Sequence, residues 1–242
     1  MGDNVTKYGN LPVKAVADII LDLFQQVNPN FPEELAYEVK YGGLKSTIVY
    51  NNKKIIDVLS EISDDNEISI SEACLAFLWC LSYAVITYYR EGTAKAETFS
   101  ESAERATKLL DYGLSLFREW NSWDPGFPSP DKLDATDTII DEANAVMIYA
   151  SIFVLCHEYT HHYLGYSPEG DTSTYEERKE DEFTADKIAV DTILKGIKHD
   201  LKSHEHTVKL GIIVGIGSVL FIDPILDGGP VHPDIDQRSI GL

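Results

Sequence analysis

Five consecutive residues, His157-Glu158-Tyr159-Thr160-His161, have types and a spacing that suit metal chemistry. On a helix, residues i and i+4 lie one above the other on one face, so two imidazoles can converge on a single zinc ion. Glu158 is turned from His157 by about 100°, which sets a carboxylate beside a water held by that ion. A catalytic zinc needs a third protein ligand and an open fourth position. Two downstream acidic pairs have i, i+4 spacing, Glu177 with Asp181 and Glu182 with Asp186. Within either pair one carboxylate can bind the ion while the other accepts a hydrogen bond from a ligand histidine and fixes its tautomer. Spacing alone does not separate the pairs. The apolar Phe183, Ala185, Ile188 and Ala189 favour Glu182 and Asp186 as the inward pair, whereas Glu176, Glu177 and Glu180 suit a solvated face. His199, His204 and His206 compete as ligands, but they stand in a polar stretch that reads as a solvated connector.

Other residues around the motif have blander readings. His162 points about one helical step away from His161, as a surface or supporting histidine. Cys156 closes an apolar run and reads as packing rather than as a regulatory thiolate on the metal. Tyr159, Tyr163, Tyr166 and Tyr175 could donate to an oxyanion, yet among thirteen tyrosines each reads first as packing.

The elements that must position these residues are mostly helical. Residues 13–27 repeat apolar side chains at helical spacing and stop before Asn28-Pro29. Residues 36–41 and 46–50 read as short strands around Gly42-Gly43, and the acidic residues 63–66 as a boundary or surface loop. Ser69 with Glu72 has a capping-box pattern ahead of a helix running to Tyr89; Thr98 with Glu101 has another ahead of residues 103–120. Residues 121–131 hold three prolines, a glycine and Trp123, and form a loop that serves as a substrate wall or as a connector. A long helix over residues 136–163 carries the motif late in its course, and residues 175–194 and 210–222 form two further helices. The fold class expected is mainly α with a small N-terminal β element, built on the helix that carries the two histidines. Residues 1–65 would form an N-terminal α+β region and residues 66–242 the helical region, together one compact unit.

Composition narrows the partners. Forty acidic against twenty basic residues give a formal charge of -20, which repels a nucleic-acid backbone and suits, if anything, a basic protein partner. An apolar fraction of 44% allows a substantial core. Cys74, Cys80 and Cys156 are odd in number and lie in apolar runs, as buried thiols in a reducing compartment do. Residues 1–10 have no apolar h-region. Three stretches, residues 73–89, 143–156 and 210–222, carry no charged side chain. The first is borderline in length for a membrane span and the others are too short, so all three read as buried helices of a soluble cytoplasmic protein.

The order His-Glu-x-x-His, then Glu182-Phe183-Thr184-Ala185-Asp186, then His232-Pro233 and Arg238 resembles the gluzincin peptidases, especially the HtpX and CAAX-prenyl-protease type. That type's membrane spans have no counterpart here, and the Lit-like phage-exclusion peptidases are the better-fitting soluble relatives. The resemblance covers residues 143–238. It implies that His157, His161 and Glu182 ligate Zn2+ and that Glu158 is the general base in hydrolysis of a peptide bond by zinc-activated water. It implies that Asp186 orients His157 or His161, and that His232 or Arg238 lies near the substrate carbonyl or braces the site. The implied substrate is a protein or peptide. Rival readings are a peptidase cleaving one regulatory protein, as in the ImmA type, and a degenerate zincin that serves as a binding or scaffold module.

Overall fold

A helix without a charged side chain over residues 73–89 has no polar face to give to water and must be enclosed on all sides. In the computed structural model that stretch is the body of a helix whose residues 73–84 are each no more than 6% exposed. The structure describes residues 11–33, 45–49, 60–62, 67–93, 100–132, 138–164, 174–197 and 201–222. The elements are α1 (Lys14–Val27), a 3-10 turn (Asn28–Asn30), β1 (Lys45–Val49), β2 (Ser60–Ile62), β3 (Glu67–Ser71), α2 (Glu72–Thr93), α3 (Glu101–Ser115), α4 (Thr138–Tyr163), α5 (Tyr175–Gly196) and α6 (Leu201–Ile222). The fold is mainly α with a small N-terminal sheet, as the sequence predicts. The strand expected at residues 36–41 and the boundary at residues 63–66 lie outside the described residues.

The sheet has the order β1-β3-β2, with β1 parallel and β2 antiparallel to β3. Ile48 stands opposite Ile70 in the register, and Ile48, Ile68 and Ile70 join the core. Pairing on both edges of β3 takes Ser69 into the sheet, which displaces the expected cap by two residues. Ser71 caps α2 instead, its Oγ accepting the Cys74 N–H at 3.1 Å. Glu72 is fully buried, and its carboxylate accepts the N–H of Leu11. Burial raises its pKa, while the Leu11 N–H and the charge of Lys14 pull it back. A similar shift of two occurs at α3, where Ser100 rather than Thr98 accepts the Ala103 N–H at 3.2 Å.

α4 is the hub, with α1, α2, α5 and α6 all packed against it. α2 runs antiparallel to it. Trp79 Nε1 donates to Asn144 Oδ1 at 2.6 Å, and Arg90 donates to Thr138 and Glu142 at the far end. Residues 116–132 are a packed connector. Trp123 meets Trp79 and Tyr112 edge-on, and Asn144 donates to the Pro130 carbonyl at 3.1 Å. Asn144 lies about 20 Å along α4 from His157, so this contact does not make the loop a wall of the motif. The three cysteines are free and buried, as expected, and burial raises all three thiol pKa values.

α2 and α4 are each long and apolar enough to cross a membrane, although 83% and 56% of their most apolar windows are buried within the fold. α4 passes this test because the helix extends beyond the charge-free residues 143–156 at both ends, a length that the stretch itself understates. α6 also begins earlier than its apolar run, at Leu201. His204 and His206 are therefore exposed on a helix rather than in a connector, and His199 lies outside the described residues.

α6 runs parallel to α4 and very close to it. A Cβ at Gly211 would stand 2.4 Å from Tyr149 Cβ and 2.8 Å from the Val146 carbonyl oxygen, and one at Gly215 would stand 2.7 Å from the Phe153 ring. Gly211→Ala is expected to lower stability by about 1–3 kcal/mol through overpacking, despite the roughly 1 kcal/mol that alanine gains in helix propensity. The urea midpoint measures it; an unchanged or raised midpoint would contradict so close an approach.

Candidate metal centre

The two histidines occupy the last turns of α4, on the stripe that faces α5. Cys156 and Thr160 flank them, and Thr160 Oγ1 donates back to the Cys156 carbonyl at 2.8 Å. α5 starts at a full capping box. Thr174 Oγ1 accepts the Glu177 N–H at 3.3 Å, and Glu177 accepts the Thr174 N–H at 2.7 Å. Glu177 is thus exposed at the helix entry and occupied by the cap. Starting the helix there turns Glu182 and Asp186 inward, to 6% and 3% exposure. The structure brings Glu182, and not Glu177, to the imidazoles.

Three side chains meet. His157 Nε2 lies 2.9 Å from His161 Nε2, His161 Nε2 lies 3.1 Å from a Glu182 carboxylate oxygen, and His157 Nε2 lies 3.5 Å from the other. Bonds of about 2.0–2.1 Å in a tetrahedral arrangement separate ligand atoms by roughly 3.3–3.4 Å. The three observed distances bracket that range. On the far side of the His157 ring, Nδ1 is 3.0 Å from Asp186 Oδ1. The two atoms are at ion-pair distance without the alignment of a hydrogen bond; a proton kept on Nδ1 by the neighbouring carboxylate leaves the lone pair of Nε2 facing the group.

The electrostatics favour a cation. Burial alone would lower the His157 pKa, but contacts with Asp186 and Glu182 and the charges of Glu182 and Glu158 outweigh it and push it up to about 10. The same carboxylates that hold a proton there would attract a divalent ion. His157, His161 and Glu182 are the group among the described residues whose donor atoms, all within 4.8 Å of one another, could hold a metal.

Glu158 is half-buried beside this group, outside it. Its charge also reaches the N-terminal turn of α2, where burial first and Glu158 second push the Cys74 thiol up to about 12. His157 is nearly sealed at 5% side-chain exposure while His161 keeps 16%, so access is easier from the His161 side. His162 is exposed and Tyr159 buried, in line with their sequence readings. His232 and Arg238 lie outside the described residues. Sequence reasoning gave no role to Phe31, whose ring meets Tyr159 at a centroid distance of 5.0 Å; no local pattern marks a contact between residues so far apart in the chain.

The family model described as Peptidase U49 matches residues 68–240. The chain belongs to the Peptidase U49 family. The match starts within β3 and takes in α2 and α3 as well as the helices of the metal-competent group, further upstream than the motifs alone reach. No curated protein and no solved structure matches the chain. Membership makes this U49 protein a peptidase, and its buried His157, His161 and Glu182 form a group able to bind a metal ion.

Proposed function

We propose that this U49 peptidase is a zinc-dependent endopeptidase of the gluzincin type. The observation that carries the reading is the convergence of two imidazole Nε2 atoms and the Glu182 carboxylate, with Asp186 behind His157. His157, His161 and Glu182 would hold the ion. Zinc, when bound, supplies a Lewis acid that makes water nucleophilic near neutral pH and polarises a carbonyl.

Glu158 accepts the proton of the attacking water and passes it to the leaving amine, both within reach of one carboxylate that does not ligate the metal. Asp186 keeps His157 in the tautomer that presents Nε2. His232 or Arg238 contributes near the substrate carbonyl or braces the site. The substrate is a protein or peptide, with the charge of -20 favouring a basic one, and the compartment is the cytoplasm. Within the gluzincins the mainly helical fold built round the helix that carries the two histidines supports the Lit-like group.

Metal analysis of purified protein tests the reading. About one zinc per chain is expected, removed by a chelator together with peptidase activity and restored with it. Protein that arrives without zinc and does not take it up would contradict it. Asp186→Asn is expected to weaken zinc binding by about 10–100-fold, read by competition with a chromophoric chelator; wild-type affinity would leave Asp186 without the orienting role.

A further inference from the structure

The family match begins at residue 68, yet the helices that carry the metal-competent group are also gripped from upstream of it. α1 buries Val16, Ala17, Ile20, Phe24 and Val27 on one stripe, and the helix packs on α4 and reaches α5. At its end Val27 meets α5 backbone to backbone: a Cβ at Gly196 would stand 2.8 Å from Val27 Cγ1 and 2.9 Å from its Cα. The 3-10 turn that follows packs on α5 as well. It is tightened by the Phe31 N–H on the Asn28 carbonyl at 3.2 Å and by Asn30 Nδ2 on the Val27 carbonyl at 3.0 Å.

This turn delivers Phe31, 5% exposed, to the ring of Tyr159, 3% exposed. Tyr159 stands between the two histidines in sequence, and its side chain leaves α4 about 160–200° round from theirs. α4 is therefore held on one side by the carboxylates of α5 and on another by Phe31. The start of the segment is tied too, by the Leu11 N–H on the buried carboxylate of Glu72.

We propose that residues 11–31 are a brace that sets the spacing of α4 and α5, with Phe31 and Val27 as positioning residues for the metal group. The proposal rests on the reading that His157, His161 and Glu182 hold zinc. Metal ligands must be placed to within a few tenths of an ångström, and the three ligands come from two helices. A segment that packs on both helices, with no ligand of its own, therefore controls the fit.

The test is zinc affinity of the full chain, by chelator competition, with the absorption spectrum of the Co2+-substituted protein as a reporter of coordination geometry. Phe31→Ala is expected to weaken zinc by about 10–100-fold, the range seen when supports behind metal ligands are lost, and to alter the Co2+ spectrum. Phe31→Tyr, which keeps the ring, should restore both. Leu109→Ala is the control. It opens a comparable buried hole in α3, which packs on α2, and should lower the melting temperature without moving zinc affinity or spectrum. If Phe31→Ala does not fold, Gly196→Ala perturbs the brace at its other contact, on α5, by displacing Val27, and it must also weaken zinc and alter the Co2+ spectrum. Wild-type affinity and spectrum in folded Phe31→Ala or Gly196→Ala, or an equal loss in Leu109→Ala, would overturn the brace while leaving the zinc reading intact. A wild type that binds no zinc would overturn the reading beneath it.

Discussion

Glu158→Gln should retain a full complement of zinc and lose peptide hydrolysis by about 10²–10⁴-fold or more. The substitution keeps shape and removes basicity. Glu158 stands one residue after His157, half-buried and outside the group of three that could hold the ion. Its removal therefore takes no ligand away. What it takes away is the carboxylate that accepts a proton from the attacking water and returns it to the amine. The paired readout is zinc stoichiometry and kcat on the same preparation. Unchanged kcat would remove Glu158 as the base, and lost zinc would move it into the ligand set.

The second large effect separates two acidic residues that spacing cannot. Glu182→Ala deletes one of three converging donors and leaves His157 and His161 facing each other at 2.9 Å. Zinc affinity should fall by more than about 100-fold, beyond the effect of losing a support behind a ligand, and activity should vanish at ordinary zinc concentrations. Glu177→Ala removes the side chain that closes the capping box with Thr174. It should cost about 0.5–2 kcal/mol of stability and leave zinc in place. Zinc lost from Glu177→Ala and kept by Glu182→Ala would reverse the assignment.

The choice between these residues shows how far the sequence could be read. Both pairs have i, i+4 spacing, and rotation of α5 decides between them. That rotation is fixed where the helix starts, at Thr174, and the Thr-x-x-Glu pattern at Thr174 and Glu177 marks such a start in the sequence. α4 was legible because the apolar run that leads into the two histidines is longer than a strand needs. The caps of α2 and α3 were misplaced by two residues because serine or threonine stood at both candidate positions, and pairing of β3 is a tertiary matter that local pattern does not contain. His204, Glu205 and His206, early in α6, are polar and exposed, with no apolar stripe to announce a helix. Least legible of all was the contact of Phe31 with Tyr159. A buried phenylalanine near a proline turn has no signature of its partner, and only the fold brings the two rings together.

The central claim is that this chain cuts peptide bonds and that Glu158 is needed to do so. The most direct measurement compares protein N-termini across cells expressing wild type and cells expressing Glu158→Gln at equal levels. New N-termini are expected in the wild-type sample and absent from the variant, with sequence around the cuts reporting whether the substrate is basic. The same new N-termini in both samples, or none in either despite zinc-loaded wild-type protein, would contradict it.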